Sequence, residues 1–119
     1  MAQPIDLNTA EARDRFLERT RFGILTTNRK EGTPIAVPVW FEWDREVVRM
    51  FAVRTSPKVK RLRNDPRASL LVTNHLDEGE SWVAFDGVVE IADTGGFELA
   101  ERLTPRPPSL SSKTTTENE

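Results

Sequence analysis

The stretch RTSPKVKRLRNDPRASLLV, Arg54 to Val72, decides how this chain of 119 residues is read. It opens as the end of a β-patterned run, changes to helical chemistry at Ser56 and returns to a strand pattern at Arg67. Ser56 suits a helix N-cap, and Pro57 suits the first helical position, where its missing N–H is no loss. Val59 and Leu62 then share a face, and Pro66 stops the run. The spacing predicts a helix of two turns between two strands. Within fourteen residues the segment carries Arg54, Lys58, Lys60, Arg61, Arg63 and Arg67 against one acid, Asp65.

A helix N-terminus presents backbone N–H groups and a partial positive charge, so it is a natural seat for an anion. The Ser56 hydroxyl and the Lys58 ammonium fall in the first turn, with Arg54 and Thr55 on the strand end before it. Together they describe a phosphate pocket. The same residues also read as a capped helix with a solvated basic face, and the sequence leaves both readings open. Residues 58 and 61 or 62 share a helical face while 60 points elsewhere, and Lys60, Arg61 and Arg63 are expected in solvent and not at the ligand of Lys58.

Outward from this segment, residues 8–20 open with a cap-like Asn8 or Thr9 and place Ala12, Phe16 and Leu17 at helical spacing. Residues 21–28, 33–44 and 45–53 are apolar, β-rich runs separated by turn chemistry. Pro38 cannot donate to a ladder and marks an edge, a bulge or a place where the sheet opens. Strand pattern resumes over 67–74 and 80–93, with a turn at Asp77–Gly79 and Gly87 read as a bulge or bend. Residues 95–103 form a further short helix. The final segment 104–119 holds three prolines and a Ser/Thr/Glu tail, and is expected to be disordered, which leaves one domain over 1–103. The expected fold is mainly β, a small barrel or strongly curved sheet of about five strands, with a helix between the third and fourth.

The charge is unevenly spread. Residues 1–67 hold 14 Lys/Arg and 9 Asp/Glu, residues 68–119 hold 3 and 10, and the net charge is −2. That balance describes a local basic site and argues against nucleic-acid binding through the backbone. With no cysteine, thiolate chemistry and disulfides are excluded; with one histidine, His75, so is a multi-His metal centre in one chain. No apolar run suggests a signal peptide or a membrane span, so a cytoplasmic protein without a membrane partner is expected. His75 and Asp86 read as turn and bend residues, and no catalytic side chain is assigned.

The order FGILTT, then PVWF, then VVRMFAVRTSPKVKRLRNDPRASLLV, then WVAFDGVVEI resembles the split-barrel flavin and deazaflavin oxidoreductases of the pyridoxamine 5′-phosphate oxidase superfamily. The likeness covers roughly residues 15–93 and is nearest to the small members that use coenzyme F-420. It implies a six-stranded FMN-binding split barrel, a Greek-key-like antiparallel barrel with short helices. It also implies a homodimer with FMN or F-420 at the interface, and hydride transfer to or from a small-molecule substrate. The cofactor phosphate would lie at Arg54, Thr55, Ser56 and Lys58, and its ring along Val37, Pro38, Val39 and Trp40. Trp40, Phe41 and Trp43 also read as core or dimer packing, and Trp82 as an interface residue. Two departures stand out. Pro57 occupies a position where the oxidase branch carries arginine, and no segment after Leu103 matches the family's sixth strand. A non-catalytic flavin- or deazaflavin-binding dimer is the alternative reading.

Overall fold

The computed structural model describes residues 5–103, so the expected tail lies outside the described residues. Helix α1 (Ala10–Glu18) starts at Thr9, whose hydroxyl accepts from the Ala12 N–H at 3.1 Å, and buries Phe16 and Leu17. The strands β1 (Phe22–Asn28) and β2 (Pro34–Trp40) form a hairpin closed at Gly32, whose φ of 102° suits glycine. After β3 (Glu42–Trp43) and β4 (Val48–Arg49) come helix α2 (Pro57–Asn64), β5 (Arg67–Thr73), β6 (Trp82–Val88) and helix α3 (Gly96–Leu103). The main sheet is antiparallel, in the order β2-β1-β5-β6, and β3 and β4 pair separately. The predicted helices are therefore all present, and Pro38 sits in an edge strand, as its missing donor requires.

The strand expectations need four corrections. The run 33–44 is not one strand, because the ladder runs out where β1 begins: Trp40 pairs with Phe22, and no β1 residue remains beyond it. The chain then crosses toward α1, where the Trp43 indole N–H donates to Asp14 at 2.8 Å. Of the run 45–53, only Val48 and Arg49 pair. The run 80–93 stops at Val88 for the same reason as β2: Val88 pairs with Arg67, and Pro66 precedes it. Gly87 is no bulge, since it pairs with Ala68 inside an unbroken register from Arg67–Val88 to Thr73–Trp82.

Alternation along the strands builds two faces. Leu25, Val39, Leu70 and Val72 point inward and join Phe16, Leu17 and Phe41 in the core. Gly23 lies on that face because a Cβ there would stand 2.6 Å from the Leu70 Cδ1 and 3.3 Å from the Phe41 ring. The opposite face carries Phe22, Ile24, Leu71 and Trp82, all exposed, with the Phe22 and Trp40 rings 4.0 Å apart. That leaves a broad apolar sheet face without cover in the single chain.

One charged knot fixes the end of the sheet. Arg21, with a side chain only 3% exposed, lies over the Phe16 ring at 3.7 Å and donates to the Phe16 carbonyl at 2.7 Å. Its guanidinium grips Glu78 with two bonds, of 2.5 and 2.9 Å. Glu78 also accepts from Arg19 and from the His75 N–H, and these donors, Arg21 first, hold its carboxyl down at about 2. The knot ties α1, the start of β1 and the loop between β5 and β6 into one unit. None of its partners was anticipated from spacing, because Arg21 and Glu78 lie 57 residues apart.

Two outcomes follow. Glu78 ionises more readily folded than unfolded, so its contribution is complete above the ordinary glutamate value and fades as the pH falls from about 5 toward 2. Chemical denaturation of Glu78→Gln should show a loss of about 2 kcal/mol at pH 7 and a shallower decline on acidification than the parent. Gly23→Ala should cost about 1 to 3 kcal/mol in the same measurement through overpacking against Leu70, while Gly87→Ala, with open space around it, should be nearly neutral.

Candidate functional site

Helix α2 is set by its two flanks. Val59 and Leu62 bury its apolar side, and the Arg61 Nε donates to the Thr27 hydroxyl at 2.8 Å, so Arg61 is an anchor to β1 and not a solvated charge. Asp65 ends the helix, receiving two bonds from the Arg67 guanidinium and one from Asn28, which drive its carboxyl well below the usual range. Lys60 and Arg63 are exposed, as expected.

The mouth of this helix departs from a simple cap. Ser56 occupies the N-cap position with extended backbone, and its carbonyl accepts from the Val59 and Lys60 N–H groups at 3.1 and 3.2 Å. Its hydroxyl makes no capping bond. The Oγ is buried and, among the described residues, has no hydrogen-bond partner, in a residue only 5% exposed. Leaving such a group unmatched costs about 1 to 3 kcal/mol. Lys58, two residues further on, is only 4% exposed, which removes it from any solvated basic face. A buried ammonium, an unmatched hydroxyl and a helix N-terminus are the elements of an oxyanion seat.

The other residues expected at the phosphate sit more openly. Thr55 is exposed, and Arg54 is exposed with its guanidinium donating to the Asp93 carbonyl at 3.1 Å. Among the ring-strand residues, β2 splits the set by its pleat. Pro38 and Trp40 face outward on the uncovered apolar surface, Pro38 exposed and Trp40 half-buried. Val39 is a core residue and Val37 packs against the core, so these two reach that surface through backbone alone. Phe41 belongs to the core, and Trp82 is exposed on the outer face.

His75 holds the loop before β6, its Nε2 lying 3.2 Å from the Thr20 carbonyl and its N–H donating to Glu78. Asp86 is a strand residue and not a bend, accepting from the Ser69 hydroxyl at 2.5 Å across the β5–β6 ladder. Among the described residues there is no group of three or more His, Asp or Glu side chains placed to hold a metal ion, and no helix long and apolar enough to cross a membrane. The Arg61–Thr27 and Ser69–Asp86 bonds escaped the sequence reading because both depend on strand register, which residue spacing alone does not give.

Known proteins frame this geometry. Among curated proteins, none is similar enough to count as a relative. Among solved structures, one titled F420 reductase is 30% identical, covering 81% of this chain and 82% of its own, with a TM-score of 0.68. A conserved hypothetical protein from Mycobacterium tuberculosis is 28% identical over 93% of this chain and 73% of its own, also at 0.68. An FAD-binding protein from Mesorhizobium loti is 28% identical over 90% and 77%, at 0.62. The family profile described as pyridoxamine 5′-phosphate oxidase matches residues 9–109. With the strand order, the helix set between β4 and β5 and this match in agreement, the chain belongs to the pyridoxamine 5′-phosphate oxidase family of split-barrel flavin and deazaflavin proteins.

Proposed function

We propose that this protein is an oxidoreductase that binds FMN or coenzyme F-420 between two copies of the chain and passes hydride to or from a small substrate. The observation that carries the reading is the unmatched, buried Ser56 hydroxyl at the start of α2, beside the buried Lys58. Such a group fits a phosphoryl oxygen, which would accept from Ser56 Oγ and from the Lys58 ammonium while the helix N-terminus favours its charge. The solved structures titled F420 reductase and FAD-binding protein support a ligand of this class.

The bound flavin or deazaflavin would supply the redox chemistry, and the chain supplies position and dryness. Edge strand β2 has one side of its backbone not committed to β1, and Pro38 and Trp40 on its outer surface offer a flat apolar wall. The outer face formed by Phe22, Ile24, Trp40, Leu71 and Trp82 suits burial against a second copy, which would exclude water from the ring. With His75 and Asp86 tied into structural bonds, no side chain is assigned as a proton donor.

Titration of the purified protein with FMN and with F-420, followed by the visible spectrum, tests the reading; no saturable binding of either below about millimolar concentration removes it. Binding with no turnover of reduced F-420 or NAD(P)H across a panel of electron acceptors would identify a non-catalytic carrier instead. Lys58→Ala should weaken cofactor binding by about 1.5 to 3 kcal/mol. Ser56→Ala should weaken it while leaving the free protein as stable or slightly more so, since an unmatched hydroxyl is removed. In analytical ultracentrifugation, the parent should sediment as a dimer and Phe22→Glu as a monomer with an unchanged far-ultraviolet spectrum; a monomeric parent would separate the cofactor site from any interface.

A further inference from the structure

Helix α2 and strand β2 carry the two halves of the proposed cofactor site, and both are registered on the same strand, β1. β2 pairs with β1 without a break from Phe22–Trp40 to Asn28–Pro34, which sets Val37, Pro38, Val39 and Trp40 opposite Leu25 to Phe22. α2 is bonded to the other end of β1. The Arg61 Nε donates to the Thr27 hydroxyl at 2.8 Å, and the Asn28 side-chain amide donates to Asp65, at the C-cap of α2, at 3.2 Å. Thr27 is only 1% exposed on the inner side of the sheet, so its hydroxyl is a fixed point. Arg61 is half-buried and, among the described residues, forms no ion pair, unlike Arg63 beside Asp93 and Arg67 beside Asp65. Charge attraction is indifferent to direction, whereas an N–H bond to a fixed hydroxyl sets direction as well as distance.

We infer that Arg61 is a positioning residue, which by locking α2 to Thr27 sets the spacing between the Ser56–Lys58 mouth and the ring strand; this rests on reading those two segments as one cofactor site. Ser56 stands five residues from Arg61, about 7.5 Å along the helix. The ring residues lie opposite positions two to five residues from Thr27, about 7 to 17 Å along β1. A ligand with a phosphoryl group at one end and a rigid ring at the other gains from both contacts only where the geometry permits both at once. The apolar side of α2, Val59 and Leu62, cannot supply that precision, because apolar burial is not directional and survives a small rotation of the helix. Such a rotation would swing Ser56 and Lys58 away from their place relative to β2. The Arg61–Thr27 bond removes this freedom before any ligand arrives, so less of the binding energy is lost in ordering the site.

Two probes separate spacing from seat. Phenyl phosphate offers the phosphoryl group alone, followed by the amide shifts of Val59 and Lys60 in the full-length chain. FMN or F-420, followed by the visible spectrum, must meet mouth and strand together. Thr27→Val removes the acceptor and keeps the Arg61 charge, so it should weaken cofactor binding at least about tenfold and phenyl phosphate binding less than about threefold. Thr27→Ser keeps the hydroxyl and should hold the cofactor within about threefold of the parent. Arg61→Gln, made at the half-buried end of the bond, should show the same split and carries the comparison if Thr27→Val does not fold. Equal cofactor binding by the parent and Thr27→Val, or the same loss in Thr27→Ser, would overturn the role of Arg61 and leave the proposed function standing. Parallel loss of both probes would show that the bond only keeps the helix mouth in shape and overturn it as well, as would a parent that binds cofactor but no phenyl phosphate. A parent that binds neither cofactor would remove the proposed function, and the spacing role with it.

Discussion

The Arg21 knot is the constraint from which the rest of the arrangement follows. A nearly buried guanidinium is held only where acceptors surround it, and here a carbonyl of α1, a carbonyl of β5 and the Glu78 carboxylate accept four bonds from it. Those acceptors come from three separate parts of the chain, so the point at which β1 starts is fixed by chemistry outside the sheet. Because β1 starts at Phe22, β2 must end at Trp40, and the chain must leave the sheet at Phe41. The outward position of Trp40, opposite Phe22, is thus a downstream effect of a buried ion pair on the far side of the strand.

How much of this was legible in sequence depends on the range of the interaction. Helix α2 and its N-cap were readable because Ser56, Pro57, Val59, Leu62 and Pro66 act on neighbours within two turns. Pro38 narrowed β2 to an edge, a bulge or an opening of the sheet, since a missing donor has few places to go, and the strand order selects the edge. Strand ends were not readable. The sequence keeps the composition of a strand past Trp40 and past Val88, yet each strand of the main sheet lasts only while a partner lies alongside, and the partners end at Phe22 and Arg67.

The candidate site shows the same division. Pattern located the cap serine and the first-turn lysine, but could not distinguish a solvated basic face from a binding seat. Burial separates the side chains themselves: Lys58 is enclosed and the Ser56 hydroxyl is left without its usual helix partner, while Lys60 and Arg63 are exposed. Arg61, expected with the latter pair, is instead a tether whose role appears only when Thr27 is placed by the register of β1. For β2, the family resemblance implied four equivalent neighbours, and the pleat divides them into two outward residues, Pro38 and Trp40, and two inward ones, Val37 and Val39.

The uneven charge along the chain acquires a meaning from the pairs that close it. The basic front half and the acidic rear half meet through Arg19 and Arg21 with Glu78, and through Arg63 near Asp93 at 3.8 Å, while Glu42 and Arg102 join them in the opposite sense. A polypeptide arranged as two oppositely charged blocks attracts itself end to end before any specific contact forms, and that attraction is attenuated by mobile ions within about 10 Å at 0.1 M. Ionic strength therefore acts on this molecule chiefly during collapse, when the blocks search for one another through water. Once Arg21 is enclosed against Phe16, the bond that matters most lies where salt scarcely reaches.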